Sequence, residues 1–202
     1  GKGAEPMKYE ITEAAHPKYP WLHRIRALRD VNEKIPKGSM GGYVQSEKNL
    51  SQEGTCWIYD QAVCCEEAVV EQEAGLYDGT MARGSALVTG DAVMYDRAVA
   101  DGNCCIRSGE IKEDVRVSGY AMITKHPETG FSPLICERSK VYGTVCGNFM
   151  IRGMVLPGQE FINPTKDYFF FDNGRWDVLA EEKKLKPPES YEKKQQKRKN
   201  QP

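Results

Sequence analysis

Small and apolar residues recur along this chain on a beat of six. Small side chains stand at Cys56, Ala62, Ala68, Ala74, Thr80, Ala86, Ala92, Ala98 and Cys104. Two places after each comes Ile58, Cys64, Val70, Leu76, Ala82, Val88, Met94, Ala100 or Ile106. Residues i and i+2 of a strand share a face, so both members of each pair point inward and the residue between them points out. A helix is excluded, because the period is neither 3.6 nor 3.5. The tripeptides Ile58-Tyr59-Asp60, Leu76-Tyr77-Asp78 and Met94-Tyr95-Asp96 repeat eighteen residues apart, which is three hexads. A fixed short period is the mark of a solenoid. Three hexads make one triangular coil, with equivalent positions stacked at the strand spacing of roughly 4.8 Å. Asp60, Asp78, Gly79, Gly84, Gly90, Asp96, Gly102 and Ser108 suit the sharp corners.

The beat slips by one residue after Ile106, then resumes through Ile111, Val117 and Ile123, with small Val115 and Ala121 before the last two. Residues 124–138 break it and read as a loop thrown out from a corner. It returns weakly at Ser139-Lys140-Val141-Tyr142-Gly143 and continues through Val145 and Ile151 to about Leu156. The pattern predicts an all-β parallel solenoid over residues 51–157, with about five coils. Open solenoid ends expose apolar groups and strand edges, so terminal elements must cover them. Residues 7–50 are read as the N-terminal cap, within which Leu22–Leu28 alternates like a strand. Residues 158–180 are read as a C-terminal cap, with Tyr168-Phe169-Phe170-Phe171 and Trp176 on either side of the hairpin signal Asp172-Asn173-Gly174. The opening GKGAEP, residues 1–6 before Met7, reads as an expression remnant, and residues 181–202 as a disordered basic tail.

Charge is unevenly spread. The chain of 202 residues carries a net −1, yet from Lys183 onward there are eight Lys/Arg against two Glu, which leaves the body near −7. An acidic body argues against a nucleic-acid surface on the coils. The tail reads as solubilising, with attraction to acidic partners as its sharper alternative. No run of about 18 apolar residues suggests a membrane helix, and no charged-then-apolar start suggests a secretory signal. The seven cysteines include no CxxC, and Cys56, Cys64 and Cys104 fall on inward positions as core filler. That usage suits a reducing cytoplasm, and no metal is expected.

The run LHRIRAL at residues 22–28, then Gly41-Gly42-Tyr43-Val44, then Asn49-Leu50-Ser51 with Gly54 and Trp57-Ile58-Tyr59-Asp60, resembles a group of bacterial and phage hexapeptide-repeat proteins described as transferases without a settled activity. The resemblance covers roughly residues 19–123. It implies a left-handed parallel β-helix, the hand being the resemblance's contribution because parallel crossovers are normally right-handed. It also implies a homotrimer, and a phage-type accessory factor that binds or inhibits a host protein. A second, local resemblance is to sugar O-acetyltransferases, in which a His-Pro opens the extended loop; here these are His126 and Pro127, with Pro133 before the chain re-enters. By it His126 would be the general base, taking the proton of an acceptor hydroxyl or amine as it attacks a coenzyme A thioester, and Glu128 or Glu137 would orient the ring. The chain departs from those enzymes in having about one irregular coil after the loop, and Ser139–Gly143 where a Val-Trp-Ile-Gly is expected. Related γ-type carbonic anhydrases need three histidines on zinc, and this chain has three in total, none on the regular coils.

The outward ladder of Tyr59, Tyr77 and Tyr95, with Asp60, Asp78 and Asp96 beside it, is the candidate partner-binding face. A tyrosine joins an apolar ring to a polar hydroxyl, which suits interfaces. One aspartate per coil supplies too few oxygens for calcium. The leading expectation is a non-catalytic binding or scaffold module without a cofactor, whose partner is a protein. The alternative is an acyl-CoA-dependent O- or N-acyltransferase with His126 as base.

Overall fold

The computed structural model describes residues 6–181. The chain winds into a parallel β-solenoid with almost no helix, whose three faces are three sheets. The first face runs from Met40–Val44 to Met154–Val155. The second starts at a bridge from Leu50 to Val70 and ends at Glu160–Asn163. The third runs from Trp57–Ile58 to Tyr168–Asp172. This architecture fits a left-handed parallel β-helix.

The inward assignments are met closely. All the small and apolar positions of the hexads from Cys56 to Ile106 are at most 1 % exposed, so the period fixed the register as well as the fold class. The corners obey the same beat. Asp60, Glu66, Gln72, Asp78, Gly84, Gly90, Asp96 and Gly102, every sixth residue, all have positive φ. Gly79 and Ser108, also read as corner residues, do not. At Gly90 a Cβ would stand 2.0 Å from the Arg107 carbonyl oxygen, so the next coil passes too close for any side chain.

The solenoid has about seven turns, not five. Both extra turns come from residues read as caps. Tyr43 and Val44 pair in parallel with Val63 and Cys64, and Met40–Val44 is therefore the first strand of the first face. Val44 and Leu50 keep the beat, but Lys48 occupies the small position, and eight residues separate Leu50 from Ile58. At the other end the inward residues Ile151, Val155, Phe161 and Phe171 come four, six and ten apart, so the period is lost while the parallel pairing goes on. Val155 fills the inward position near which Leu156 was expected; Leu156 is 48 % exposed. The break expected over residues 124–138 is shorter, since Leu134 and Ile135 already pair with Glu110 and Ile111.

Adjacent coils exchange backbone hydrogen bonds, as in Tyr59 N–H to Leu76 O at 2.8 Å and Tyr77 N–H to Met94 O at 2.9 Å. The first coil has no coil before it, so carbonyls on its leading side lack that partner, and buried unpaired carbonyls are costly. The N-terminal segment meets them with side chains. Lys8 Nζ donates to Cys56 O at 2.9 Å and Glu53 O at 3.2 Å, and Tyr9 Oη donates to Leu50 O at 2.5 Å, with Glu47 O 3.1 Å away. Arg24 donates to Gly41 O at 2.9 Å. The strands Tyr9–Ala15 and His23–Ala27 then close the first face as antiparallel additions.

The far end is closed by a hairpin. Strand Arg175–Leu179 folds antiparallel onto Tyr168–Asp172 through Asn173 and Gly174, at φ 47° and 92°, as a two-residue turn of this composition requires. The hairpin carries Trp176 over the last inward rings, with centroids 4.8 Å from Phe171, 5.0 Å from Phe161 and 6.0 Å from Phe149.

The corner geometry gives a paired prediction. Gly90→Ala is expected to lose roughly 2 kcal/mol or more, from a strained φ and a backbone clash. Glu66→Gly, at a corner where a non-glycine residue sits at φ 55°, is expected to gain a few tenths to about 1 kcal/mol. Urea unfolding of both variants beside the parent checks the signs.

Candidate functional site

The tyrosine ladder forms as a stack on the third face. Tyr59 and Tyr77 lie parallel with centroids 4.1 Å apart at 6°, and Tyr95 follows at 4.9 Å and 30°. Gly75 makes room for it, since a Cβ there would stand 2.9 Å from the Tyr77 ring and 3.3 Å from that of Tyr59. The chain's own cap reaches over this face. Val31 and Ile35 bury in the same cluster as Trp57. Asn32 Nδ2 donates to Tyr59 Oη at 2.9 Å, and the Lys34 ammonium lies 5.2 Å from the centre of the Tyr77 ring. Burial and the neighbouring Tyr77 push the Tyr59 hydroxyl up, so it stays protonated. Two of the three tyrosines thus contact the cap.

The aspartates form a ladder of a different kind. Asp60 Oδ2 accepts the backbone N–H of Asp78, Asp78 Oδ2 that of Asp96, and Asp96 Oδ2 that of Glu113, each at 2.9 Å. Amide side chains do the same at another corner, where Gln72 Oε1 accepts from Gly90 N–H at 3.0 Å. Each of these three aspartates therefore ties its coil to the next. Beyond the aspartates the same prism edge continues with Glu113 and Glu137, also at positive φ. The flanking charges there are paired: Asp114 with Arg97 at 2.8 Å, and Glu137 with Arg152 at 2.9 Å. The Arg97 guanidinium holds the Asp114 carboxyl below the usual carboxylate range. Among the described residues no group of three His, Cys, Asp or Glu is placed to hold a metal ion.

His126 opens the excursion after strand Met122–Thr124 and is half-buried. Its Nδ1 accepts the Glu128 backbone N–H at 3.2 Å, while its own backbone bonds Phe131 O at 3.1 Å and Gly130 N–H at 2.8 Å. Neither expected carboxylate is recorded on the ring: Glu128 meets it through the backbone, and Glu137 binds Arg152. Two further coils follow the loop, where one was expected.

Sequence reading missed a third feature. At the C-terminal end Phe149, Phe161, Phe169 and Trp176, with Ile162 and Asn163 at the rim, line a groove of about 320 Å³. Ile162 is 52 % exposed and Val178 beside it 54 %, unusual for apolar residues on ordered strands. The groove borders Glu160–Asn163, the last strand of the second face, whose outer edge meets no other strand among the described residues. Its only trace in the sequence is that Ile162 and Val178 sit on strands with no successor to cover them.

No protein-family model matches the chain. A stretch of 57 residues, 28% of the chain, is 40% identical to a protein of Escherichia coli strain K12 named "Uncharacterized acetyltransferase YdcK", and it spans 17% of that protein's length. This likeness and the solenoid together fit hexapeptide-repeat, transferase-like proteins.

The corner ladder separates charge from hydrogen bonding. Asp78→Ala is expected to cost about 1–2 kcal/mol, from a lost backbone bond and a strained corner. Asp78→Asn keeps an acceptor and tolerates positive φ, so less than half that loss is expected in the same denaturation experiment.

Proposed function

We propose that this chain is a non-catalytic binding module, a rigid prism that offers a protein partner a docking end. One observation carries the reading: an unpaired strand edge, Glu160–Asn163, lies beside an exposed aromatic groove. As the last strand of its sheet, Glu160–Asn163 leaves N–H and C=O groups on its outer edge unpaired by any strand among the described residues, and an exposed edge of this kind templates an added strand. The groove would then take an apolar side chain of that strand, supplying the specificity that main-chain bonds lack. The partner class, a host protein met by a phage-type accessory factor, comes from the resemblance to phage proteins. His126 supports this reading by its surroundings, because a general base is normally oriented by a further group, whereas Glu128 meets the ring through its backbone N–H and the Glu137 carboxylate pairs with Arg152.

Homotrimer formation belongs to the same reading. On the second face Val69, Leu87, Cys105 and Met122 stack in register as a half-buried apolar row. Such a row suits contact between copies. Leu87→Lys is expected to convert a trimer into monomer in light scattering; an unchanged mass would remove this face from the assembly.

Acyl transfer is the second reading, favoured by the likeness to a protein named an acetyltransferase. Calorimetric titration with acetyl-coenzyme A distinguishes the two. The binding-module reading expects no saturable heat up to millimolar ligand. Micromolar binding that disappears in His126→Ala would replace it with acyl transfer. In the binding reading Ile162→Lys, at the groove rim, is expected to weaken a co-purified partner at least tenfold, while Tyr77→Ala leaves its affinity within about twofold.

A further inference from the structure

Lys8 is buried completely, which is rare for a lysine unless its ammonium is fully partnered. Its partners at the start of the solenoid are three backbone carbonyls, of Glu53, Gly54 and Cys56, and a thiol. Lys8 Nζ stands 3.1 Å from Cys56 Sγ, and Cys56 is itself 0 % exposed. The other recorded neighbours of that sulfur are the carbonyl oxygens of Ser51, Glu53 and Val70, at 3.6 to 3.8 Å. Carbonyl oxygens are poor nucleophiles. Any electrophilic sulfur formed at Cys56 therefore has one nucleophile recorded against it, the Lys8 amine.

We propose that Lys8 and Cys56 form an oxidative cross-link, a direct Nζ–Sγ bond made with peroxide as the oxidant. The step begins with the neutral amine taking the Sγ–H proton. The thiolate attacks one peroxide oxygen, the O–O bond breaks, and the departing hydroxide takes the proton back from Lys8 as water. Cys56 is now a sulfenic acid, which is known to condense with neighbouring nitrogen nucleophiles. The Lys8 amine attacks sulfur, the S–O bond breaks, and hydroxide leaves with an amine proton as a second water. In balance, one thiol, one amine and one hydrogen peroxide give one sulfenamide and two waters; sulfur is oxidised and peroxide oxygen reduced.

The environment favours this outcome over the usual ones. Burial pulls the Lys8 ammonium below its ordinary value, against the pull of Cys56, which makes the neutral amine accessible. Burial also raises the Cys56 thiol, so the pair reacts as amine and thiol and depends on the local proton transfer. Cys56 is 0 % exposed, so larger thiols that would otherwise capture the sulfenic acid are kept out, and peroxide reaches the sulfur through local opening of the cap. The bond would tie the segment before strand Tyr9–Ala15 to the first coil across forty-eight residues of chain, locking the N-terminal cap.

The test uses the full chain treated with hydrogen peroxide, digested without reductant and analysed by mass spectrometry. Expected is a peptide pair joining Lys8 to Cys56, lighter than the sum of its parts by two hydrogens and separated again by dithiothreitol. The oxidised protein is expected to unfold at higher temperature, and to return to the starting midpoint after reduction. Cys56→Ala should lose both effects while folding normally, because alanine occupies the same hexad position at Ala62 and Ala68. The more accessible Cys105 and Cys146 serve as internal controls for oxidant exposure. The proposal is overturned if those two are oxidised while Cys56 stays a free thiol, or if Cys56 carries oxygen with Lys8 unmodified. A cross-link that appears equally in Lys8→Met would also overturn it.

Discussion

The fold depends on the parallel ladder of backbone hydrogen bonds between coils. Neighbouring coils exchange N–H and C=O groups in register, so the interior of the stack is satisfied without side chains and unpaired backbone is left at its two ends. At the starting end Lys8, Tyr9 and Arg24 donate to carbonyls of the first coil. At the finishing end Asn148 and Asn163, both buried, donate to the Asp167 carbonyl, while the hairpin and Trp176 cover the last inward rings.

The same ladder governs the corners. Eight consecutive turns of the chain pass through the left-handed region, a conformation that costs most L-residues about 1–2 kcal/mol. Glycine relieves the cost by lacking a Cβ. Aspartate and glutamine offset it differently, by accepting an N–H from the coil beyond. Asp60, Asp78 and Asp96 therefore belong to the cohesion of the prism whatever else their exposed edge meets. Their tyrosine neighbours stack over Gly75 under partial cover of the cap, so the ladder most visible in the sequence is in good part an internal surface.

How much of this was legible depends on whether a residue's role is set by local period or by position in the stack. Ala62, Ala68 and Ala74 are readable because each repeats a steric requirement that depends only on its own hexad. Phe161 and Phe171 are not, because the final coils change length and carry large rings where the hexad has small aliphatics. Nothing around Lys8, between Met7 and Tyr9, marks it for burial; the carbonyls of Glu53, Gly54 and Cys56 that it meets lie more than forty residues along the chain. The groove is illegible for a third reason. Phe149, Phe161, Phe169 and Trp176 come from separate strands on two faces, and nothing in their spacing brings them together. His126 was visible as a His-Pro before a loop, but the partners of its ring depend on how that loop closes.

A solenoid couples its parts mainly through nearest neighbours, so what happens at an end is felt most in the adjacent coil. The two ends of this prism are consequently separable in function. The N-terminal end, with its buried lysine, thiol and tyrosine, is built to be closed, and a covalent bond there would stabilise the first coil without reaching a groove six coils away. The C-terminal end is closed less completely: Trp176 covers the last inward rings yet remains 44 % exposed. Ile162 and Val178 stand exposed beside that ring, next to the unpaired edge of Glu160–Asn163. Apolar surface beside unpaired backbone is unfavourable in water and favourable against another strand. That coincidence is the physical reason to look for a partner at the C-terminal end.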